Sequence, residues 1–451
     1  MLVKISVENF KSFDQTVELT MISSNKIRTN ADHRLKIKST PLLKYGVVYG
    51  ANAAGKTNLT EFFHFFKECV NKGIPMESAS MFCKNRKENR EKESNFEIQL
   101  TLGDKFYAYG FSAVLSKRKI TAEWLYELYQ NGSSRRLFER EGKKRPILDE
   151  TVTLTNTEKN KFEIYADDFE GNETSLFLTE MNRGKKYSER SKLLLFRDVY
   201  DWIQNHIVVI TPHTPFIDFT YYYDMDSLEL INKLIETFDT GIRKVEIVEI
   251  SLDELANAMP KAVFENVMRH VKKRIEEKEN SSFQMTMRSS ENFFSIEAEG
   301  HSEPKVTTIR LKHEKSFYDF GFEEESDGTR RIFDLMDMLL NKKEDVLYVV
   351  DELERSLHPK LTERFLQLFM QLHYEERMQL LFTTHESAIM DQSLFRRDEI
   401  WFVERNAENA SVIYSLDRFK ERYDKVLSKA YLEGRYGAIP IFRSFEYGEE
   451  G

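Results

Sequence analysis

Alternation of apolar and polar positions opens the chain. Leu2, Ile5 and Val7 interleave with Lys4, Ser6 and Glu8 at close to period two, which predicts a strand. Asn9-Phe10-Lys11-Ser12-Phe13 then turns the chain, and residues 17–22 predict a partner strand, followed by a polar loop over 23–40. Residues 45–49 read as a strand that runs straight into a glycine-flanked loop. A helix over 56–71 comes next, with Phe63, Phe66 and Val70 on its core face. The mixed-charge run 84–93 reads as a solvated loop. Short alternating segments between 96 and 164, separated by turn signals at Gly103-Asp104 and Asn131-Gly132, predict an antiparallel sheet.

Helical spacing takes over from 176 to 278, clearest over 227–237 and 253–277, with a short apolar strand at 207–210 inside it. Strands return over 283–322. Beyond them helix and strand alternate: a helix over 328–340, a strand over 346–350, a helix over 361–374, and strands over 379–383 and 399–403. The pattern predicts an α/β protein whose outer thirds form one domain split by a middle insertion. Its parts are an N-terminal lobe over 1–175 with the antiparallel sheet, a mostly helical insertion over 176–282, and a C-terminal lobe over 283–451.

Composition narrows the class without naming an activity. The chain has 451 residues, long enough for a large core, and 41% hydrophobic against 31% charged residues exclude wholesale disorder. Lys and Arg number 66 against 75 Asp and Glu, a net charge of −9, which argues against a chain-wide nucleic-acid coat. Two cysteines, Cys69 and Cys83, cannot build a disulfide framework or a four-cysteine zinc site and fit a reducing compartment. No apolar stretch approaches a bilayer span, and the charged opening octapeptide does not read as a signal peptide, so a cytoplasmic location is expected.

Gly50-Ala51-Asn52-Ala53-Ala54-Gly55-Lys56-Thr57 is a full G-x-x-x-x-G-K-T phosphate-binding loop between a predicted strand and a predicted helix. The two glycines let backbone N–H groups fold inward around phosphates, Lys56 supplies a point charge, and Thr57 offers a hydroxyl to Mg²⁺. The helix start, which includes Asn58, adds its positive end. The apolar strand 346–350 ends in Asp351-Glu352, suited to holding Mg²⁺ and to taking a proton from attacking water. Ser326-Asp327-Gly328-Thr329 opens a helix, with Gly328 23 residues before Asp351, and Thr384-His385 closes a strand, with His385 33 residues after Glu352. Taken one at a time, Ser326 is a helix cap and His385 an interior histidine; their ordered spacing around Asp351-Glu352 favours function.

This order of motifs, with the loop Glu354-Arg355-Ser356-Leu357-His358-Pro359, resembles the ABC-type ATPase heads of the SMC and RecF kind. Asp327 stands where the usual Ser-Gly-Gly signature has glycine, whereas Ser326 and Gly328 match. The lack of a coiled coil and the tail Tyr431 to Pro440 resemble, more narrowly, the bacterial AbiLi/RloA-type ATPases of abortive-infection systems. The resemblance implies that Gly50, Asn52, Ala53, Ala54, Gly55, Lys56, Thr57 and Asn58 cradle ATP, with Thr57 and Asp351 on Mg²⁺. It further implies that Glu352 activates water, His385 senses the γ-phosphate, and Ser326, Gly328 and Ser356 act across an ATP-bridged homodimer or higher oligomer. Gln99 is a glutamine-loop candidate by position alone. Implied partners are a separate effector encoded nearby, a Toprim-like RloB-type protein, and a phage protein as trigger, with no membrane. A RecF-like DNA clamp and an ATP-binding scaffold with little turnover are the alternatives; the first would bring in nucleic acid.

Three further signals weigh less. Asp224-Met225-Asp226 has the D-x-D form of a metal site but no recognisable partner glutamate, so a solvated helix cap is expected. Nucleases of the overcoming-lysogenization type append a large domain to a similar head, whereas 66 residues follow His385 here. The basic runs at 135–145 and 269–274 suit a nucleic-acid backbone, but a solvated rim is the expected reading.

Overall fold

The computed structural model describes residues 1–212, 225–277, 282–288, 292–299, 303–419 and 426–440. The chain opens with β1 (Leu2–Glu8), β2 (Val17–Thr20), β3 (Arg34–Ile37), β4 (Thr40–Leu43) and β5 (Tyr45–Tyr49), and α1 (Lys56–Lys72) follows. A run of strands comes next: β6 (Ser94–Leu102), β7 (Lys105–Val114), β8 (Lys119–Leu128), β9 (Ser134–Glu141) and β10 (Ile147–Leu148). Then come α2 (Asn156–Asp168), α3 (Phe177–Asn182), α4 (Leu194–Asp201), β11 (Ile207–Ile210), α5 (Met225–Ile235) and β12 (Ile242–Ile250). After α6 (Leu252–Asn257) and α7 (Lys261–Glu277), strands β13 (Ser282–Arg288), β14 (Phe293–Glu299) and β15 (Lys305–His313) precede α8 (Asp327–Leu340). The remainder is β16 (Val346–Val350), α9 (Pro359–Leu372), β17 (Met378–Thr384), β18 (Ile400–Arg405), β19 (Ser411–Ser415) and α10 (Leu427–Leu432). The expected α/β class is what the chain adopts.

The elements fall into two compact units. The first comprises Met1–Val209, Lys343–Leu353 and the chain from His373 onward; the second comprises Ile210–Lys342 and Glu354–Leu372. In the first unit, a seven-stranded antiparallel sheet has the order β10-β9-β8-β7-β6-β1-β2, and a six-stranded sheet has the order β11-β16-β17-β5-β18-β19. Strands β16, β17, β5 and β18 run parallel, and β16, β17 and β5 are buried along their whole length. That explains why they read as continuous apolar runs rather than alternating ones.

Helix α1 carries the phosphate-binding loop at its start and is clamped onto the antiparallel sheet. Phe62, Phe63, Phe65 and Phe66 are at most 2% exposed. Phe65 lies 4.9 Å from the Phe96 ring and 5.3 Å from Phe10, and Phe66 lies 5.4 Å from Phe111. Each buried ring contributes about 1.5–3 kcal/mol, so the helix start is held by a rigid aromatic block.

The second unit has a four-stranded antiparallel sheet of order β12-β15-β14-β13. Leu255 of α6 and Val271 of α7 share a core with Phe294, Ile296 and Val306. Phe322 stands edge-on to Phe293 at 4.5 Å and to Phe333 of α8 at 5.5 Å, which seats the start of α8.

Four local expectations are corrected. The polar stretch 23–40 contains β3, which pairs with β4 as a two-stranded hairpin. Residues 156–164 belong to helix α2 rather than to the sheet, because Thr155 and Glu158 form a capping box. The helix expected over 253–277 is two helices, broken at Met259-Pro260, since a proline has no N–H to continue the first. Inside the stretch read as helical, 242–250 is strand β12.

Candidate functional site

The carboxyl ends of three adjacent parallel strands carry the predicted chemistry. In register, Thr384 of β17 sits opposite Tyr49 of β5, and Val350 of β16 sits opposite Phe382 of β17. Gly50, Asp351 and His385 therefore leave neighbouring strand ends at one edge, the place where open parallel sheets bind ligands.

The loop from Gly50 to Gly55 closes on itself. Lys56 is 7% exposed, and its Nζ donates to the carbonyls of Gly50 at 2.6 Å and Ala51 at 3.1 Å. Asn52, Ala53 and Thr57 are exposed, whereas Ala54 is buried. Ala53 holds φ 61°, a left-handed conformation that costs an alanine roughly 1–3 kcal/mol and persists where the surroundings impose it. Gly55 at φ 113° is required: a Cβ there would lie 2.4 Å from Ser411 Oγ.

Asp351 and Glu352 are organised by a residue the sequence reading passed over. Thr383, on the middle strand, donates its hydroxyl to Asp351 Oδ1 at 2.6 Å and accepts from the Glu352 N–H at 2.9 Å. The Leu353 N–H donates to the Thr383 carbonyl at 3.2 Å. Asp351 is 2% exposed, while Glu352 is partly exposed and has φ 49°. A glutamate held in that region turns its side chain off the strand line, with its backbone N–H fixed on Thr383. The missed signal was a polar β-branched residue closing the apolar run Leu380-Leu381-Phe382 two places before His385. His385 itself is exposed.

An exposed hydroxyl on Thr57 and a buried carboxylate on Asp351 are hard oxygen donors, the set Mg²⁺ takes when phosphates supply its other ligands. Among the described residues there is no cluster of three or more His, Cys, Asp or Glu side chains that would build an all-protein metal cage. The donor set fits a nucleotide-bound Mg²⁺.

Ser326, Gly328 and Ser356 come together in the second unit. Ser326 caps α8: its Oγ accepts from the Thr329 N–H at 3.1 Å and lies 2.9 Å from the Thr329 hydroxyl. Asp327 is exposed and pairs with Arg330 at 2.8 Å, so its charge is turned along the helix. A Cβ on Gly328 would lie 2.8 Å from the Ser356 carbonyl, so glycine permits this contact. Ser356 is exposed at φ 63°.

The lesser signals resolve in part. Gln99 lies on β6 and donates to Glu97 at 3.0 Å. The run 135–145 is paired throughout: Arg135 with Glu127, Arg136 with Glu139 and Asp149, Lys144 with Glu141, Lys143 with Glu173, and Arg145 with Glu163 and Asp167. Arg140 is buried against Glu123, whose carboxylate also accepts from the N–H groups of Phe177 and Leu178. Apart from the buried Arg140, the run is an ion-paired rim. Tyr223 and Asp224, at the start of the D-x-D stretch, lie outside the described residues. Among the described residues no helix is long and apolar enough to cross a membrane.

Three solved structures are similar to the chain. An SMC head bound to the C-winged helix domain of ScpA is 11% identical, with a TM-score of 0.39 over 92% of this chain and 97% of that one. The SMC head domain from Thermotoga maritima is 12% identical, with a TM-score of 0.39 over 92% and 98%. A Smc head with an extended coiled coil, bound to the C-terminal domain of ScpA and derived from Pyrococcus furiosus, is 12% identical, with a TM-score of 0.37 over 96% and 99%. No curated protein matches the chain significantly. Residues 47–391 of the 451 match a family that is described as an AAA domain, putative AbiEii toxin, of type IV toxin–antitoxin systems, and the chain belongs to that family.

Proposed function

We propose that this protein binds ATP with Mg²⁺, hydrolyses it, and uses the cycle to control a separate effector in bacterial anti-phage defence. The observation that carries the ATPase reading is Thr383, which ties Asp351 and Glu352 together on the strand beside the phosphate-binding loop. On this reading Lys56 leaves its loop carbonyls for the β- and γ-phosphates, and Thr57 and Asp351 hold Mg²⁺. Bound Mg²⁺ supplies charge neutralisation on the phosphate oxygens. Glu352 takes the proton from the attacking water, and His385 donates to the γ-phosphate. Ser326 and Gly328, supported by Ser356, contact the γ-phosphate held by a second copy, so ATP joins two heads and hydrolysis releases them.

Membership in a family described as a putative toxin of type IV toxin–antitoxin systems supports a place in such a system. The paired rim at 135–145 counts against a DNA clamp, because those cations already have carboxylate partners. The test is direct. Lys56→Ala abolishes nucleotide binding, whereas Glu352→Gln binds ATP and turns it over roughly 10²–10⁴-fold more slowly. A Glu352→Gln protein with the native rate would overturn the assignment. ATP-dependent co-purification with the product of an adjacent reading frame tests the regulatory half.

A further inference from the structure

Behind the phosphate-binding loop, two serines from opposite ends of the sequence meet. Ser12 lies in the turn after β1 and Ser411 opens β19; the Ser411 N–H donates to the Ser12 carbonyl at 2.8 Å. Their hydroxyl oxygens are 2.6 Å apart. Asn58 Nδ2 lies 2.6 Å from Ser12 Oγ, and Ser411 Oγ lies 2.5 Å from the Ala54 carbonyl oxygen.

Chemistry fixes the direction of this chain. A hydroxyl has one proton, an amide nitrogen only donates, and a carbonyl only accepts. The protons therefore run one way: Asn58 to Ser12, Ser12 to Ser411, Ser411 to the Ala54 carbonyl. Ser411 is 2% exposed and Ser12 is 9% exposed, so little water competes, and successive bonds polarise one another. Arg405, at the end of β18, donates from Nε to the preceding carbonyl, Ala53, at 2.8 Å. Two consecutive loop carbonyls are thus held from outside the loop.

Peptide planarity converts this into a statement about phosphate. In a trans peptide the C=O of Ala54 and the N–H of Gly55 lie in one rigid plane and point in opposite directions. With the carbonyl fixed on Ser411, the Gly55 N–H is fixed pointing in the opposite direction, away from Ser411. Gly55 is also where a Cβ would collide with Ser411 Oγ, so the glycine of the motif makes room for this serine.

We propose that Ser411 and Ser12 are positioning residues that preset the Ala54–Gly55 peptide for phosphate through a one-way hydroxyl chain beginning at Asn58. The inference rests on the reading of this loop as a nucleotide site.

The experiment measures ATP and ADP affinity by calorimetry for the full chain and for Ser411→Ala, Ser12→Ala, the double variant and Lys56→Ala. Each serine variant is expected to bind about 3- to 10-fold more weakly, the size of one neutral hydrogen bond. The double variant is expected to bind no more weakly than Ser411→Ala, because a cut chain cannot be cut again. Melting temperatures without nucleotide stay within about 2 °C of the parent, as expected for the loss of one hydroxyl in a chain of this size. KM rises while kcat at saturating ATP stays within about twofold, as for an interaction made equally in ground and transition states. Native affinity in both serine variants overturns the proposal, as do losses that add fully in the double variant or that track a drop in melting temperature. If Ser411→Ala does not fold, Ser12→Ala carries the same test. Failure of the parent chain to bind nucleotide at all is a different result and sinks the nucleotide reading itself; Lys56→Ala serves as its control.

Discussion

Thr383 does for the Asp351–Glu352 pair what no feature of the motif does alone. Its single hydroxyl orients Asp351 by donating and holds the Glu352 backbone by accepting, on a strand where every other residue from Met378 to Thr384 is also buried. Thr383→Val keeps the shape and removes both bonds, leaving a buried carboxylate oxygen and a backbone N–H without this partner. Outer-shell partners of metal ligands are worth roughly 10- to 100-fold in metal affinity. The Mg²⁺ concentration needed for half-maximal tightening of ATP binding therefore rises by about that factor in Thr383→Val and stays near native in Thr383→Ser. Equal Mg²⁺ dependence in the valine variant would remove Thr383 from the site. The contrast marks what a single sequence conveys. Lys56 and Asp351 announce themselves by spacing, but Thr383 belongs to the site only because β17 lies between β5 and β16, and that strand order is not written in any local pattern.

Elements were legible where periodicity and end signals agreed. β5, α1, β16 and β17 have long apolar patterns bounded by motif residues, and their positions hold. β12 was hidden because it is an edge strand with broken alternation and an irregular register between Ile242 and Lys244, so neither face repeats cleanly. α2 illustrates an end signal overlooked: the Thr155 and Glu158 capping box starts a helix on a weakly amphipathic sequence. Glu158 accepts from the Thr155 N–H at 2.9 Å, and also from the Ser191 hydroxyl at 2.7 Å and the Lys192 N–H at 2.8 Å. Led by the Thr155 backbone bond, these contacts bring its pKa from 4.5 down to about 2. The sign follows from linkage: a carboxyl whose folded pKa is depressed adds stability above its unfolded pKa and loses it as pH falls through the folded one. Thermal midpoints of the native chain and Glu158→Gln should differ by a constant amount above about pH 5. The gap should shrink between about pH 4.5 and pH 2, the window those two values set. A gap independent of pH would mean that the carboxylate charge contributes nothing to the cap.

At the scale of the whole molecule, the question is how one nucleotide per head could switch an assembly. Each chain carries a net charge of −9, so two copies repel at long range, and on the proposed function short-range contacts made with ATP would have to outweigh that repulsion. Ser326 is exposed at the start of α8, and one such serine per head, each making a charge-assisted bond of about 1.5–3 kcal/mol, gives about 3–6 kcal/mol across a symmetric pair. That is a factor of roughly 10²–10⁴ in the dimerisation constant, enough to move a micromolar solution from mostly monomer to mostly dimer. Glu352→Gln with ATP and Mg²⁺ is therefore expected to run as a dimer by light scattering, and as a monomer with ADP. Adding Ser326→Arg should return it to monomer while leaving ATP affinity within about twofold at concentrations where both variants are monomers, since Ser326 would touch only a partner's nucleotide. Loss of the cap costs the helix about 1 kcal/mol, so a melting curve without nucleotide separates misfolding from lost association. Raising salt screens the like charges and should strengthen the ATP-dependent dimer at moderate ionic strength, before it weakens the phosphate contacts themselves. A dimer that persists in the Ser326→Arg variant would place the interface elsewhere and leave the nucleotide site of each head intact.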